Sequence, residues 1–124
     1  MSTMTGAEMR ARLTYLGLSP AILAEMHGWD PRDLRREAAG TIPVSARTQR
    51  RIHELEDQAR REVAELHKLP GAIHIPRFKG KDEETPEQRR ARWQAGDMPD
   101  PWHHAITGRY LSEAGPDANP IAYA

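Results

Sequence analysis

The stretch Ser19–Val44, SPAILAEMHGWDPRDLRREAAGTIPV, decides how the rest of the chain is read. It predicts two short helices, Pro20 to about His27 and Pro31 to about Ala39, meeting at a tight turn. Ser19 and Asp30 each precede a proline, the pattern of an N-cap followed by the first helical residue. Gly28 and Gly40 stand at the helix ends, where a positive φ costs glycine nothing. Leu23 and Ala24 sit on the first helix, and Leu34 on the second points back at it. Ala24, Gly28 and Leu34 are separated by four and then six residues. A small residue, a glycine and an aliphatic at those offsets let two helices cross closely at a steep angle, the helix-turn-helix geometry. An ordinary helical hairpin in a core fits the same spacing. The DNA-binding version places its second helix in the major groove.

Upstream, Thr5-Gly6-Ala7-Glu8 reads as a capping box opening a helix from about Gly6 to Leu16, with Met9, Leu13 and Leu16 on one apolar face. Gly17 closes that helix and Leu18 enters the core. Ile22, Leu23 and Met26 are the expected buried residues of the next one. Downstream, Thr41–Val44 is extended, because a residue before proline avoids the α region. Ser45 caps a long helix, about Ala46 to Leu69. Ile52, Leu55, Ala59, Leu66 and Leu69 form its stripe, while Val63 shifts the stripe and Glu62 takes an expected apolar slot. Such a helix exceeds about 30 Å at 1.5 Å per residue, longer than three short helices need for cover. Its second half either projects into a second unit or another subunit, or is solvated and laced by pairs such as Arg61–Glu65.

After Pro70-Gly71, residues Ala72–Phe78 predict a short strand that Pro76 confines to an edge. Lys79–Glu84 reads as a solvated loop. Thr85-Pro86-Glu87-Gln88 is a second capping box, with a helix to about Gln94, and Asp100-Pro101 opens another to about Ala114. Trp102, Ile106 and Tyr110 recur every four residues on its buried face. Ile121-Ala122-Tyr123 is a candidate last strand, paired with residues 72–75.

The chain has 124 residues, enough for one domain or a small module with an extension. With 29% charged residues and a mean hydropathy of −0.78, its core should be thin. There is no cysteine, hence no disulfide framework and no thiolate metal site. No apolar run resembles a signal peptide or a membrane span, so the expected location is the cytoplasm. Eighteen basic residues balance eighteen acidic ones, which is not the footprint of a non-specific nucleic-acid binder. Residues 1–51 carry eight arginines against five acids, a local excess of three. One copy should therefore hold DNA weakly, and two copies on one duplex would double the phosphate contacts.

At Ala24, Gly28, Leu34 and Gly40-x-x-Pro43-Val44 the chain resembles the Cro/CI (XRE) helix-turn-helix family over about residues 4–60. The family's Arg-Trp-Glu-x-Gly stretch stands here as Arg36-Glu37-Ala38-Ala39-Gly40, so Glu37 replaces the Trp and Ala38 the Glu. Trp29 is the candidate to offset that lost packing. The whole-chain layout is similar to small anti-CRISPR-associated regulators: helix-turn-helix, long connecting helix, then a dimerisation unit. Its matching pieces are Ile73–Phe78 and Trp102-His103-His104-Ala105. The resemblance implies a mainly α fold. A lambda-repressor-like helix-turn-helix bundle with its long helix would occupy 1–69, and a small α+β interaction unit 70–124. It also implies a homodimeric repressor of phage or mobile-element kind that binds inverted repeats. Ile73, Ile75, Trp102, Ile106 and Tyr110 would then carry dimerisation.

Six histidines invite a metal, but adjacent His103 and His104 diverge by roughly 100° on a helix, and the other four show no ligand spacing. Asp82, Glu83 and Glu84 read as a solvated cluster. Ser19 and Ser45 read as caps, with no nucleophile motif around either. We expect no enzyme, no cofactor and no metal. Arg32, Asp33 and Arg36 are assigned to base edges, and Arg35, Thr41, Arg47 and Arg50 to phosphates or positioning. Arg89, Arg90 and Arg92, with Lys79 and Lys81, offer a second basic patch or a solvated helix face. The alternative to DNA is a scaffold that binds a host protein, supported by zero net charge and by Asp30 and Asp33 beside the arginines.

Overall fold

The computed structural model describes residues 3–77 and 83–124. Phe78, Lys79, Lys81 and Asp82, assigned above to a strand end, a loop and a basic patch, lie outside the described residues. The chain is mainly helical. Four helices come first: α1 (Gly6–Tyr15), α2 (Pro20–His27), α3 (Pro31–Ala39) and α4 (Ala46–Lys68). Then follow β1 (Ile73–Ile75), α5 (Pro86–Gln94), α6 (Asp100–Ala114), a 3-10 turn at Gly115–Asp117 and β2 (Ile121–Tyr123).

Side-chain caps start most of these helices. Thr5, Ser19 and Ser45 accept backbone N–H bonds from Glu8, Ile22 and Thr48, and the Asp30 carboxylate accepts from Arg32. At Thr85 the capping box is complete: the hydroxyl accepts from Gln88 N, and the Gln88 side chain accepts from Thr85 N. Asp100 corrects the expected cap. It is the first helical residue, and Pro99 stands at the cap position without a side-chain bond.

A single buried cluster spans both halves of the chain. Met9, Leu13, Leu23, Leu34, Ile52 and Leu55 from α1–α4 join Trp93, Met98, Trp102 and Ile106 from the C-terminal half. On α4 the stripe is Ile52, Leu55, Ala59 and Val63, with Leu66 half-buried, while Leu69 is 44% exposed. Val63 thus belongs to the stripe and Glu62 to its edge. There Glu62 Oε1 accepts the indole N–H of fully buried Trp102 at 3.0 Å, giving the polar end of the Trp a partner. The second half of α4 packs on α6 of its own chain. Glu65 pairs with Lys68, not with Arg61.

Two glycines permit close approaches. A Cβ at Gly6 would lie 2.8 Å from Ala38 O and 2.9 Å from Gly40 N, so the start of α1 rests on the end of α3. Gly17 has φ 74° and abuts the backbone of Pro101 and Trp102, seating the end of α1 on α6. β1 and β2 pair in parallel, Ile73 opposite Ile121 and Ile75 opposite Tyr123. Parallel pairing requires a crossover, here α5 and α6.

The sheet and α6 correct the expected subunit interface. Ile73, Ile75, Trp102, Ile106 and Tyr110 are 2%, 7%, 0%, 4% and 3% exposed within the single chain. They close the chain's own interior, and the Tyr110 hydroxyl accepts Asn119 N–H at 2.8 Å.

Candidate nucleic-acid interface

Helix α3 is short, and its two faces differ sharply. Leu34, Glu37 and Ala38 are buried, while Arg32, Asp33, Arg35, Arg36 and Ala39 are exposed. The Asp30 carboxylate accepts Arg32 N–H at 2.9 Å and lies 3.4 Å from the Arg32 guanidinium. The backbone bond first, and the side-chain bond next, hold its carboxyl below the ordinary 3.8. At the other end, Gly40 takes φ 79° and Thr41 N–H returns to Arg36 O at 2.9 Å, folding Thr41 back over the last turn. Arg32, Arg35, Arg36, Ala39 and Thr41 consequently line one shallow depression.

All seven residues assigned from sequence to nucleic acid, including Asp33, Arg47 and Arg50, are exposed. Arg35, Arg36 and Arg50 form no ion pair among the described residues. Arg47 lies 3.9 Å over the Trp29 ring, and His27 stacks on the same ring at 4.7 Å. His27 Nε2 accepts from Arg51 Nε at 3.0 Å. Burial first, then the charges of Arg51 and Arg47, push the His27 pKa below 6.5 and keep the ring a neutral acceptor.

The residues assigned from sequence to the helix pair sit at buried or left-handed positions. Leu23, Ala24 and Leu34 are at most 1% exposed, and Gly28 ends α2 with φ 68°. Glu37 corrects the expectation placed on Trp29. Trp29 packs at the α2–α3 corner, whereas the end of α3 is held by Glu37 itself. At 3% exposure, Glu37 accepts Ser45 N–H at 2.9 Å and ties α3 to the start of α4. Its signal was present in the sequence: Leu34, Glu37 and Ala38 at i, i+3 and i+4 share one helix face. A carboxylate on an apolar face calls for a backbone donor.

Helix α5 corrects the second basic patch. Arg89 pairs with Glu25, and Arg90 Nε donates to Glu25 O at 3.0 Å. Gln94 donates to Met26 O at 3.1 Å. Three α5 side chains thereby bind the last turn of α2: Arg89 takes the Glu25 carboxylate, while Arg90 and Gln94 supply donors to backbone carbonyls that the helix end leaves open. Arg92 pairs with both Glu84 and Asp97, so Glu84 anchors α5 instead of being solvated with Glu83. The Arg92 hydrogen bond leads the effects that draw the Glu84 pKa below 4.5.

His103 lies 3.5 Å from Asp97, and His104 Nδ1 and Nε2 are 3.1 Å from Asp100 O and the Tyr123 hydroxyl. Among the described residues, no three of the His, Asp and Glu side chains converge as a metal site. No described helix is long and apolar enough to cross a membrane. No family model matches the chain, and neither the curated proteins nor the solved structures contain a match to it.

Proposed function

We propose that the protein is a sequence-specific DNA-binding transcriptional regulator, a repressor of phage or bacterial origin, acting as a homodimer on an inverted repeat. In this reading α1–α4 form a lambda-repressor-like bundle of the Cro/CI (XRE) kind, and α2 and α3 are its helix-turn-helix. The observation that carries the reading is the depression on α3, where Arg32, Arg35, Arg36 and Thr41 converge at the surface. Arg32 and Arg36 would take base edges, an arginine forked onto guanine being the commonest specific contact. Arg35, Arg47 and Arg50 would take phosphates. Two copies would then neutralise about six phosphates and give a log–log salt slope near −5. A dimer must use surface other than the five buried residues. Among the described residues, Tyr15, Ile42, Leu69, Leu111 and Tyr123 are the large apolar side chains left exposed.

One observation favours the adaptor alternative. Asp33 is exposed among the arginines, and Asp30 holds Arg32, charges that repel phosphate. The salt dependence of binding to an operator selected from a random duplex pool separates the two readings. The regulator reading requires affinity to fall by about a thousandfold between 50 and 200 mM salt. Absent or salt-insensitive DNA binding, with stoichiometric capture of a protein, favours the adaptor.

A further inference from the structure

The corner between α2 and α3 carries a stack in which the α3 arginines take no part. Trp29 follows Gly28, the left-handed residue that ends α2, and precedes Asp30, the cap of α3. Its N–H returns to Ala24 O at 2.9 Å, so the turn fixes its backbone. Its side chain is only half-buried. His27 stacks on the indole with ring centroids 4.7 Å apart and planes 29° from parallel, and Arg51 Nε donates to His27 Nε2 at 3.0 Å. The Arg47 guanidinium lies 3.9 Å over the same indole. That is well within reach of a cation–π contact, and Trp is the aromatic that holds a cation best. A charged imidazole beside the indole would oppose Arg47, and burial first, then Arg51 and Arg47, keeps the His27 pKa below 6.5.

Arg47 belongs to the first turn of α4, yet this contact brings its guanidinium to the corner where α3 begins. Arg47 is exposed, and among the described residues it has no ion pair and no side-chain hydrogen bond. A cation–π contact leaves most of the five guanidinium N–H donors for a further acceptor. A phosphate supplies what is missing, acceptor oxygens together with negative charge. Arg35 and Arg50, assigned to phosphates as well, have no aromatic anchor of this kind among the described residues. They must lose their rotamer freedom on binding, whereas Arg47 has already lost much of its own.

We infer that Trp29 is a positioning residue for phosphate binding: its indole holds the Arg47 guanidinium beside the start of α3, ready for the DNA backbone. The inference rests on the DNA-binding reading above and adds to it a side chain that acts through Arg47.

The test is a double-mutant cycle read by fluorescence anisotropy on a selected operator and on an unrelated duplex, between about 50 and 200 mM salt. Arg47→Ala should weaken binding to both duplexes by the same factor, because a phosphate contact carries no sequence, and make the salt slope shallower by about 2 for two copies. Trp29→Leu keeps an apolar side chain at the corner and removes the aromatic face. It should cost about four- to a hundredfold in the parent, or about two- to tenfold per copy, and less than about twofold in the Arg47→Ala background. Trp29→Phe, which restores a ring, should recover most of that loss. An equal cost of Trp29→Leu with and without Arg47, or an unchanged salt slope in Arg47→Ala, overturns the inference and leaves the regulator reading standing. A parent whose DNA binding is absent or insensitive to salt overturns both. Should Trp29→Leu not fold, the parent decides. Its Arg47 Nε–H resonance, assigned by the peak lost in Arg47→Ala, should be displaced by the indole ring current both in the free protein and on the operator. A peak at the ordinary arginine position in the operator complex overturns the inference.

Discussion

Replacing Glu37 tests whether one buried carboxylate joins the arginine-bearing helix to the rest of the molecule. Glu37 is 3% exposed and accepts Ser45 N–H at 2.9 Å. Glu37→Ala removes the acceptor and leaves that N–H without its partner at the junction of α3 and α4. A hydrogen bond to a charged group contributes about 1.5–3 kcal/mol, and an orphaned donor costs on the same order. The expected destabilisation is therefore about 2–3 kcal/mol, or a fall in Tm of about 6–15 °C for a chain of this size. Glu37→Gln keeps an acceptor oxygen of the same reach and should lose about 1 kcal/mol or less. Urea unfolding followed by circular dichroism reads both variants on one scale. The reasoning is refuted if Glu37→Ala unfolds within about 0.5 kcal/mol of the parent, the ordinary range for a surface change. It is refuted equally if Glu37→Gln is as damaged as Glu37→Ala.

Other consequences follow from the same packing. Gly6→Ala places a methyl against the backbone of Glu37, Ala38 and Gly40. It should destabilise by more than the roughly 1 kcal/mol that alanine normally gains over glycine in a helix, a reversal of sign visible in thermal melts. Because Arg92 depresses the Glu84 pKa, that pair's stabilisation is fully present above pH 4.5 and is lost as pH falls through the lowered value. The stability gap between the parent and Arg92→Ala should accordingly shrink on acidification, as read by melts across that window. His27 is held below 6.5, so the unfolded chain binds its proton first, and stability should decline as pH drops below 6.5. His27→Gln should remove that part of the decline in the same experiment.

The sequence carried the element order because the devices that begin and end its helices are local. Ser19-Pro20, Asp30-Pro31, Ser45 and Thr85-Pro86 announce starts, and Gly28 and Gly40 announce stops, each within a few residues of the bond it makes. The pairing of Ile121–Tyr123 with β1 was legible from alternation and length, and the parallel direction came from the α5–α6 crossover. What escaped the sequence depends on distance along the chain. Arg89 meets Glu25 across 64 residues, and no spacing rule connects them. Trp102, Ile106 and Tyr110, four residues apart, do form one buried face. An interior and a subunit interface ask for the same side chains, however, and only the fold shows that α4 and β1 cover this one. At the α3 surface, exposure followed from helical periodicity around Leu34. The return of Thr41 to Arg36, which completes the depression, depended on the left-handed turn at Gly40.

The central claim is that α3 offers its arginines to DNA, and fluorescence anisotropy with a selected operator duplex tests it most directly. Parent protein and the Arg32→Ala/Arg36→Ala variant would be titrated at one fixed salt concentration, with unfolding curves confirming that both are folded. Each forked arginine–guanine contact discriminates by about 1–3 kcal/mol, so the variant should lose about thirtyfold or more on the operator while its weak binding to unrelated duplex changes far less. Equal operator affinity for the folded variant and the parent would contradict the account.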